Sequence, residues 1–137
     1  MFDRCLYFNI NHLAWVVNRK WDQSFKKFGL SSSHAYLLRV VLARPGITQK
    51  EIGEILMLDK STITRFINAL DNKGLITRNS STDAREQRIM PTEKALFIHN
   101  ALEQTGLALY TEMQQKIGKD DLQQLVSLAQ SSSKKLS

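Results

Sequence analysis

The sequence predicts a mainly α fold that carries one small β-hairpin. Three observations give that class. Apolar residues recur at intervals of three and four along most of the chain. Two short alternating stretches flank a polar turn at residues 79–83, the pattern of a hairpin. Gly and Pro stand between the periodic segments, at Gly29, Pro45, Gly46, Gly74 and Gly118.

The first helix is expected over about 6–28, where Leu6, Ile10, Leu13, Val17, Trp21, Phe25 and Phe28 share one stripe and Gly29 ends it. Tyr7, Trp15 and Val16 lie off that stripe, so more than one side of this helix needs cover. Ser31 or Ser32 can cap a second helix reaching about Ala43, where Pro45-Gly46 breaks it. Ile47 is expected to add a short edge strand.

The stretch 48–75 then reads as two short helices joined by a tight turn. Thr48 and Glu51 form the capping-box pattern, and Ile52, Ile55 and Leu56 supply the buried face. After a turn at Met57 and Leu58, Asp59 caps the second helix and places a carboxylate at the positive end of its dipole. Ile63, Phe66, Ile67 and Leu70 form that helix's inward face. Gly74 suits the left-handed position after its end, followed by the apolar contact of Leu75.

A strand is expected over 75–78, the turn over 79–83 and a returning strand over 85–90. Pro91, lacking an N–H, is expected to stop the returning strand at Met90. Thr92 caps another long helix with Ala95, Ile98, Leu102, Leu109, Met113 and Ile117 as its stripe, and Gly118 interrupts it. A last helix from Asp120 to about Gln130 carries Leu122, Leu125, Val126 and Ala129. The tail SSSKKLS is expected to fray.

Composition narrows the classes. With 137 residues, of which 42% are hydrophobic and 8% aromatic, the chain has material for one core with helical extensions. A net charge of +6 favours polyanions, yet residues 44–94 hold nine Lys/Arg against seven Asp/Glu, so charge alone does not locate a nucleic-acid face. The single cysteine, Cys5, excludes an internal disulfide framework and fits a reducing compartment. No apolar run approaches the ~20 residues that cross a bilayer, and no secretory leader is read at the start, so a cytoplasmic location with no membrane partner is expected. Paired carboxylates, a Ser/His/Asp set, a phosphate-cradling Gly loop and a metal cluster are all missing, which argues against an enzyme and against any cofactor.

The helix after Asp59 presents Lys60, Ser61, Thr62, Thr64, Arg65 and Asn68 on its polar face. These are side chains that reach phosphates and base edges from a major groove. A hairpin placed directly after such a helix is a wing. Here TQKEIGEILMLDKSTITRFINALDNKGLITR and DAREQRIMPT, with Asp83, Arg85, Arg88 and Thr92 at a characteristic spacing, resemble the MarR family of winged helix-turn-helix transcriptional regulators. The likeness covers nearly the whole chain. Pro91 departs from it, since the family usually has Leu before the Thr.

The resemblance implies one MarR-type domain over 1–137, with dimerisation helices at about 6–28 and 92–131 and a winged helix-turn-helix at about 31–91. It implies a homodimer on double-stranded DNA at a palindromic operator, more often a repressor, released by a small aromatic or acidic effector. It also implies that Arg85 enters the minor groove while Asp83 holds it in place, which suits an Arg on a thin hairpin. Arg65 and Asn68 are the expected base readers, and Ser61, Thr62, Lys60, Gln49 and Lys50 the expected phosphate contacts. Arg88 is read as a DNA contact or as a salt-bridge partner of Glu86, with which it shares a strand face.

An effector pocket near the first two helices is implied as well, with His12, Trp15, His34, Tyr36 and Arg39 as candidate lining and Arg39 as its cation. Some members of the family sense peroxide through an N-terminal cysteine. That subgroup's thiol partners are tyrosines, where this chain has Ser32 and Ala35, so Cys5 reads as an inert thiol. His12, His34 and His99 share no ligand spacing, and no metal is expected. Two other classes stay open at this stage: a winged helix used for protein contact, and a redox regulator centred on Cys5.

Overall fold

A computed structural model describes residues 1–80 and 86–137. Met1–Glu103 form one compact unit and Gln104–Ser137 a second. The element order is α1 (Leu6–Phe25), a 3-10 turn (Lys26–Phe28), α2 (Ser32–Ala43), β1 (Ile47–Thr48), α3 (Gln49–Leu56), α4 (Lys60–Asn72), β2 (Ile76–Ser80), β3 (Gln87–Pro91), α5 (Glu93–Ile117) and α6 (Lys119–Leu136). The expected mainly α fold with a small β-wing is therefore the observed one.

The core of the first unit is built from the end of α1, α2, the two helices after it, the sheet and the start of α5. Phe25, Leu37, Leu38, Val41, Ile52, Ile63, Ile67, Leu70, Ile76 and Ile89 are all buried. Within α3 only part of the expected face turns inward. Ile52 is buried while Ile55 is 44% exposed, because an eight-residue helix has too few turns to bury a wide stripe.

The helix boundaries follow from their caps. Ser31, Thr48 and Asp59 each accept a hydrogen bond from the backbone N–H three residues on, at 3.3, 3.2 and 2.7 Å. The Glu51 carboxylate, expected to complete the box at Thr48, lies 3.6 Å from Arg44. At the end of α4, Gly74 N–H donates to Asp71 and Leu75 N–H to Leu70, the paired bonds of a Schellman cap, with Gly74 at φ 71°. Gly29 closes the 3-10 turn in the same left-handed region, so the expected first helix tightens after Phe25.

The three-stranded antiparallel sheet has the order β1-β3-β2, with Ile47 opposite Ile89 and Ile76 opposite Pro91. Two strand limits differ from expectation. Asn79 and Ser80 belong to β2 and not to the turn, since their partners Arg88 and Gln87 extend the ladder. The returning strand starts at Gln87 and includes Pro91. Thr92 N–H donates to Leu75 at 3.1 Å, which makes Ile76 and Pro91 a non-hydrogen-bonded pair. The missing N–H of Pro91 therefore faces away from β2, beyond the end of β1, and no ladder bond is lost.

One helix also departs from expectation, and another is only partly covered. The stripe of α1 is buried at Phe25 but bare at Leu6 and Ile10, which are at least half exposed, as are Tyr7, Phe8 and Trp15 beside it. In the second unit α6 runs to Leu136, so the tail does not fray. Ser131 and Ser137 hydroxyls donate back to Leu128 and Ser133 carbonyls, and Lys134 and Lys135 sit where the helix dipole favours cations.

Candidate nucleic-acid interface

The polar face of α4 is exposed at Lys60, Ser61, Arg65 and Asn68 and half-buried at Thr62 and Thr64. Several contacts fix it. Asp59 Oδ1 accepts from Thr62 N–H and from the Ser61 hydroxyl, and the Thr62 N–H bond holds the carboxyl below its usual value. The cap thus points a permanent negative charge at the start of the helix, leaving the hydroxyl of Ser61 turned to its own turn.

Gln49 Nε2 donates to Thr64 Oγ1 at 2.7 Å, and that hydroxyl donates in turn to the Lys60 carbonyl at 2.9 Å. The first helix of the pair is thereby tied to the second. Gly53 lets α3 pack closely on the turn between them, since a Cβ there would meet the Leu58 carbonyl at 3.2 Å. Gln49, Lys50, Lys60, Thr64, Arg78 and Gln87 lie around one concave surface of about 800 Å³ between α3, α4 and the sheet. It is open and mixed in polarity, with Lys50, Lys60 and Arg78 as its cations and Glu54 as its one carboxylate.

Arg78 is the member that sequence reasoning missed. It lies on β2, donates Nη2 to Asn68 Oδ1 and sets Nε 3.3 Å from Asp71 Oδ2. Nothing local marks it, because its partners are ten and seven residues away and the strand's own alternation says only that it has a face. Arg88 does two things. It donates Nη1 to the Gly46 carbonyl at 3.0 Å and pairs with Glu86 at 3.4 Å, while remaining about half exposed. Asp83 and Arg85 lie outside the described residues.

The candidate effector residues fall into separate contacts. His12 stacks on Trp15 at 6.3 Å along α1, with Arg19 above the indole at 5.4 Å. His34 meets the ring of Phe66 edge-on at 4.9 Å, and burial, then Lys73, pushes its pKa down. Tyr36 accepts from Trp21 Nε1 at 3.0 Å and lies under Arg39 at 4.8 Å. Arg39 is held by both oxygens of Glu103 at 3.0 Å, and that hydrogen bonding keeps the Glu103 carboxyl below its usual value. The expected cation therefore already has a carboxylate.

Cys5 is the N-cap of α1 and partly exposed. Ser32 donates its hydroxyl to Asp22 at 2.6 Å and Ala35 is fully buried. Among the described residues no group of His, Cys, Asp and Glu is arranged to hold a metal, and no helix is long and apolar enough to cross a membrane.

Comparison with known proteins places this arrangement. Residues 28–86 match the model described as the MarR family. The uncharacterized HTH-type transcriptional regulator YwoH of Bacillus subtilis is 32% identical over 93 residues, which span 68% of each chain. Among solved structures, the Staphylococcus aureus MepR–DNA complex superposes with a TM-score of 0.85 at 18% identity, covering 98% of this chain and all of that one. A MarR-family regulator of Listeria monocytogenes complexed with a 26mer DNA superposes with a TM-score of 0.79 at 18% identity, over 97% of this chain and 89% of that one.

Proposed function

The chain belongs to the MarR family of winged helix-turn-helix transcriptional regulators, not to an enzyme family, and from that membership we propose that it binds a palindromic operator as a homodimer and represses transcription in the cytoplasm. The observation that carries this reading is the exposed polar face of α4, fixed from below by the Asp59 cap and from the side by Gln49. A helix held in this way can enter a major groove without first losing side-chain and backbone freedom. Lys50, Lys60 and Arg88 contact phosphates, with Gln49, Ser61 and Thr62 beside them. Arg65 and Asn68 reach base edges, and Arg85, in the connection between β2 and β3, follows the minor groove with Asp83 as its support.

Dimerisation follows from the uncovered apolar surfaces. In the first unit these are on α1 and at Leu96 and Phe97 of α5; in the second, Leu107, Tyr110, Val126 and Leu128 are each about half exposed or more. Monomeric proteins rarely leave contiguous apolar area of this kind in water. The proposal keeps the chain as one functional domain, with the reading head over about 31–91 and the dimerisation helices at either side. Release follows when an aromatic carboxylate competes with Glu103 for Arg39 and favours a head spacing that no longer fits both half-sites. Tyr36, whose ring lies under Arg39 at 4.8 Å, is the aromatic neighbour in that reading, and His12, Trp15 and His34, which sit in other contacts, take part only if the effector extends to them.

Selection of bound duplexes from a random pool, with the protein's solution mass recorded alongside, tests the proposal. A palindromic consensus and a dimer mass are expected. Monomer mass with no consensus sinks it.

A further inference from the structure

The two ends of the Asn68 amide are not equally available. Asn68 is exposed on α4, and its Oδ1 accepts from Arg78 Nη2. A guanidinium has donors and no acceptor, so its partner has to be the amide oxygen, and the orientation of the amide follows from chemistry. Arg78 is itself anchored. Its Nε lies 3.3 Å from Asp71 Oδ2 in an ion pair that lacks hydrogen-bond geometry, and its side chain is only 29% exposed. Asn68 and Asp71 are three residues apart on one helix, so a single Arg from β2 spans both.

We propose that Arg78 is a positioning residue that sets the base preference of Asn68. A free Asn reads adenine with both ends, its oxygen accepting from N6–H and its N–H donating to N7. The guanidinium takes one of the two lone pairs of Oδ1 and stands on that side of the amide, so Asn68 presents its N–H donors to DNA. Guanine offers two adjacent acceptors, O6 and N7, to such a group. Adenine offers one acceptor beside an N6–H that would find no partner, which costs affinity. The base pair under Asn68 is therefore G·C in preference to A·T. This rests on the proposed operator binding and adds the rule by which one position is read.

The test repeats the duplex selection with Asn68→Ala and Arg78→Met. Asn68→Ala identifies the pair, as the position whose preference collapses. The parent is expected to favour G·C there. Arg78→Met, which keeps an unbranched apolar stem and removes every donor, frees the amide oxygen and shifts the ratio towards A·T by about tenfold. Preference for A·T at that pair in the parent overturns the inference, as does retention of the G·C preference in Arg78→Met or an unchanged consensus in Asn68→Ala. If Arg78→Met does not fold, the identity of the parent's pair still decides. A parent with no consensus at all sinks the operator reading itself, which is a different failure from a consensus read by another rule.

Discussion

At the scale of single residues, side chains that read bases are distinct from side chains that hold the phosphates. Arg65 is exposed, with its guanidinium 6.0 Å from the Phe66 ring, and has the reach to bond a base edge. Arg65→Ala is expected to weaken operator binding by about 1–3 kcal/mol and to relax preference at one base pair. Lys60→Ala is expected to weaken all duplexes alike and to reduce the salt dependence of binding by about one unit of slope. Fluorescence titrations at several salt concentrations distinguish the two, and equal behaviour of both variants would remove the division. The acid side of stability is also decided by particular groups. The folded pKa of His34 is below its ordinary 6.5, so its neutral form is the one the fold favours. That contribution is complete above 6.5 and is lost as pH falls through the folded value. Glu103, held below 4.5 by Arg39, contributes fully above that value and less as pH falls through its own folded one. The parent's denaturant midpoint should fall more steeply between pH 7 and 4 than that of His34→Gln/Glu103→Gln, on an order set by these groups. Parallel slopes would contradict the assignment.

At the scale of elements, what was legible in the sequence was what is local. Thr48, Asp59 and Gly74 state their helix ends within four residues, and the structure has those ends. Long-range pairing was not legible. Nothing near Pro91 says that its missing N–H faces away from β2, because that depends on the register with Ile76. Arg78 was invisible for the same reason, its role depending on a strand and a helix meeting. Burial of Ile55 was overestimated because periodicity gives a face and not its width. The turn between the two reading helices allows a sharper check. Met57 sits in the left-handed region at φ 56° and is 87% exposed, so it bears backbone strain without packing in return. Met57→Gly is expected to raise stability by about 1 kcal/mol in chemical denaturation. Gly53→Val should do the opposite, lowering it by about 1–3 kcal/mol, since its Cβ would press on the Leu58 carbonyl. A neutral Gly53→Val would mean that the turn does not depend on that approach.

At the scale of the whole molecule, the apolar stripes read from sequence as needing cover are left partly bare by the protomer, and this is why a second copy enters the account. Leu6, Ile10 and Trp15 on α1 are each at least half exposed, and in the proposed homodimer they are covered by the second copy. Ile10→Glu is expected to yield a folded protein of monomer mass whose operator affinity falls at least about tenfold, because two heads no longer bind as one body. A two-fold dimer sets its recognition helices about one DNA turn apart, roughly 34 Å. The most direct measurement is affinity for the selected palindrome compared with the same palindrome carrying about five extra base pairs at its centre, half a turn that rotates one half-site to the opposite face. The account predicts that the insertion reduces affinity to that of a single half-site. Unchanged affinity would contradict it, since a protein indifferent to the spacing is not reading both halves from one rigid pair of heads.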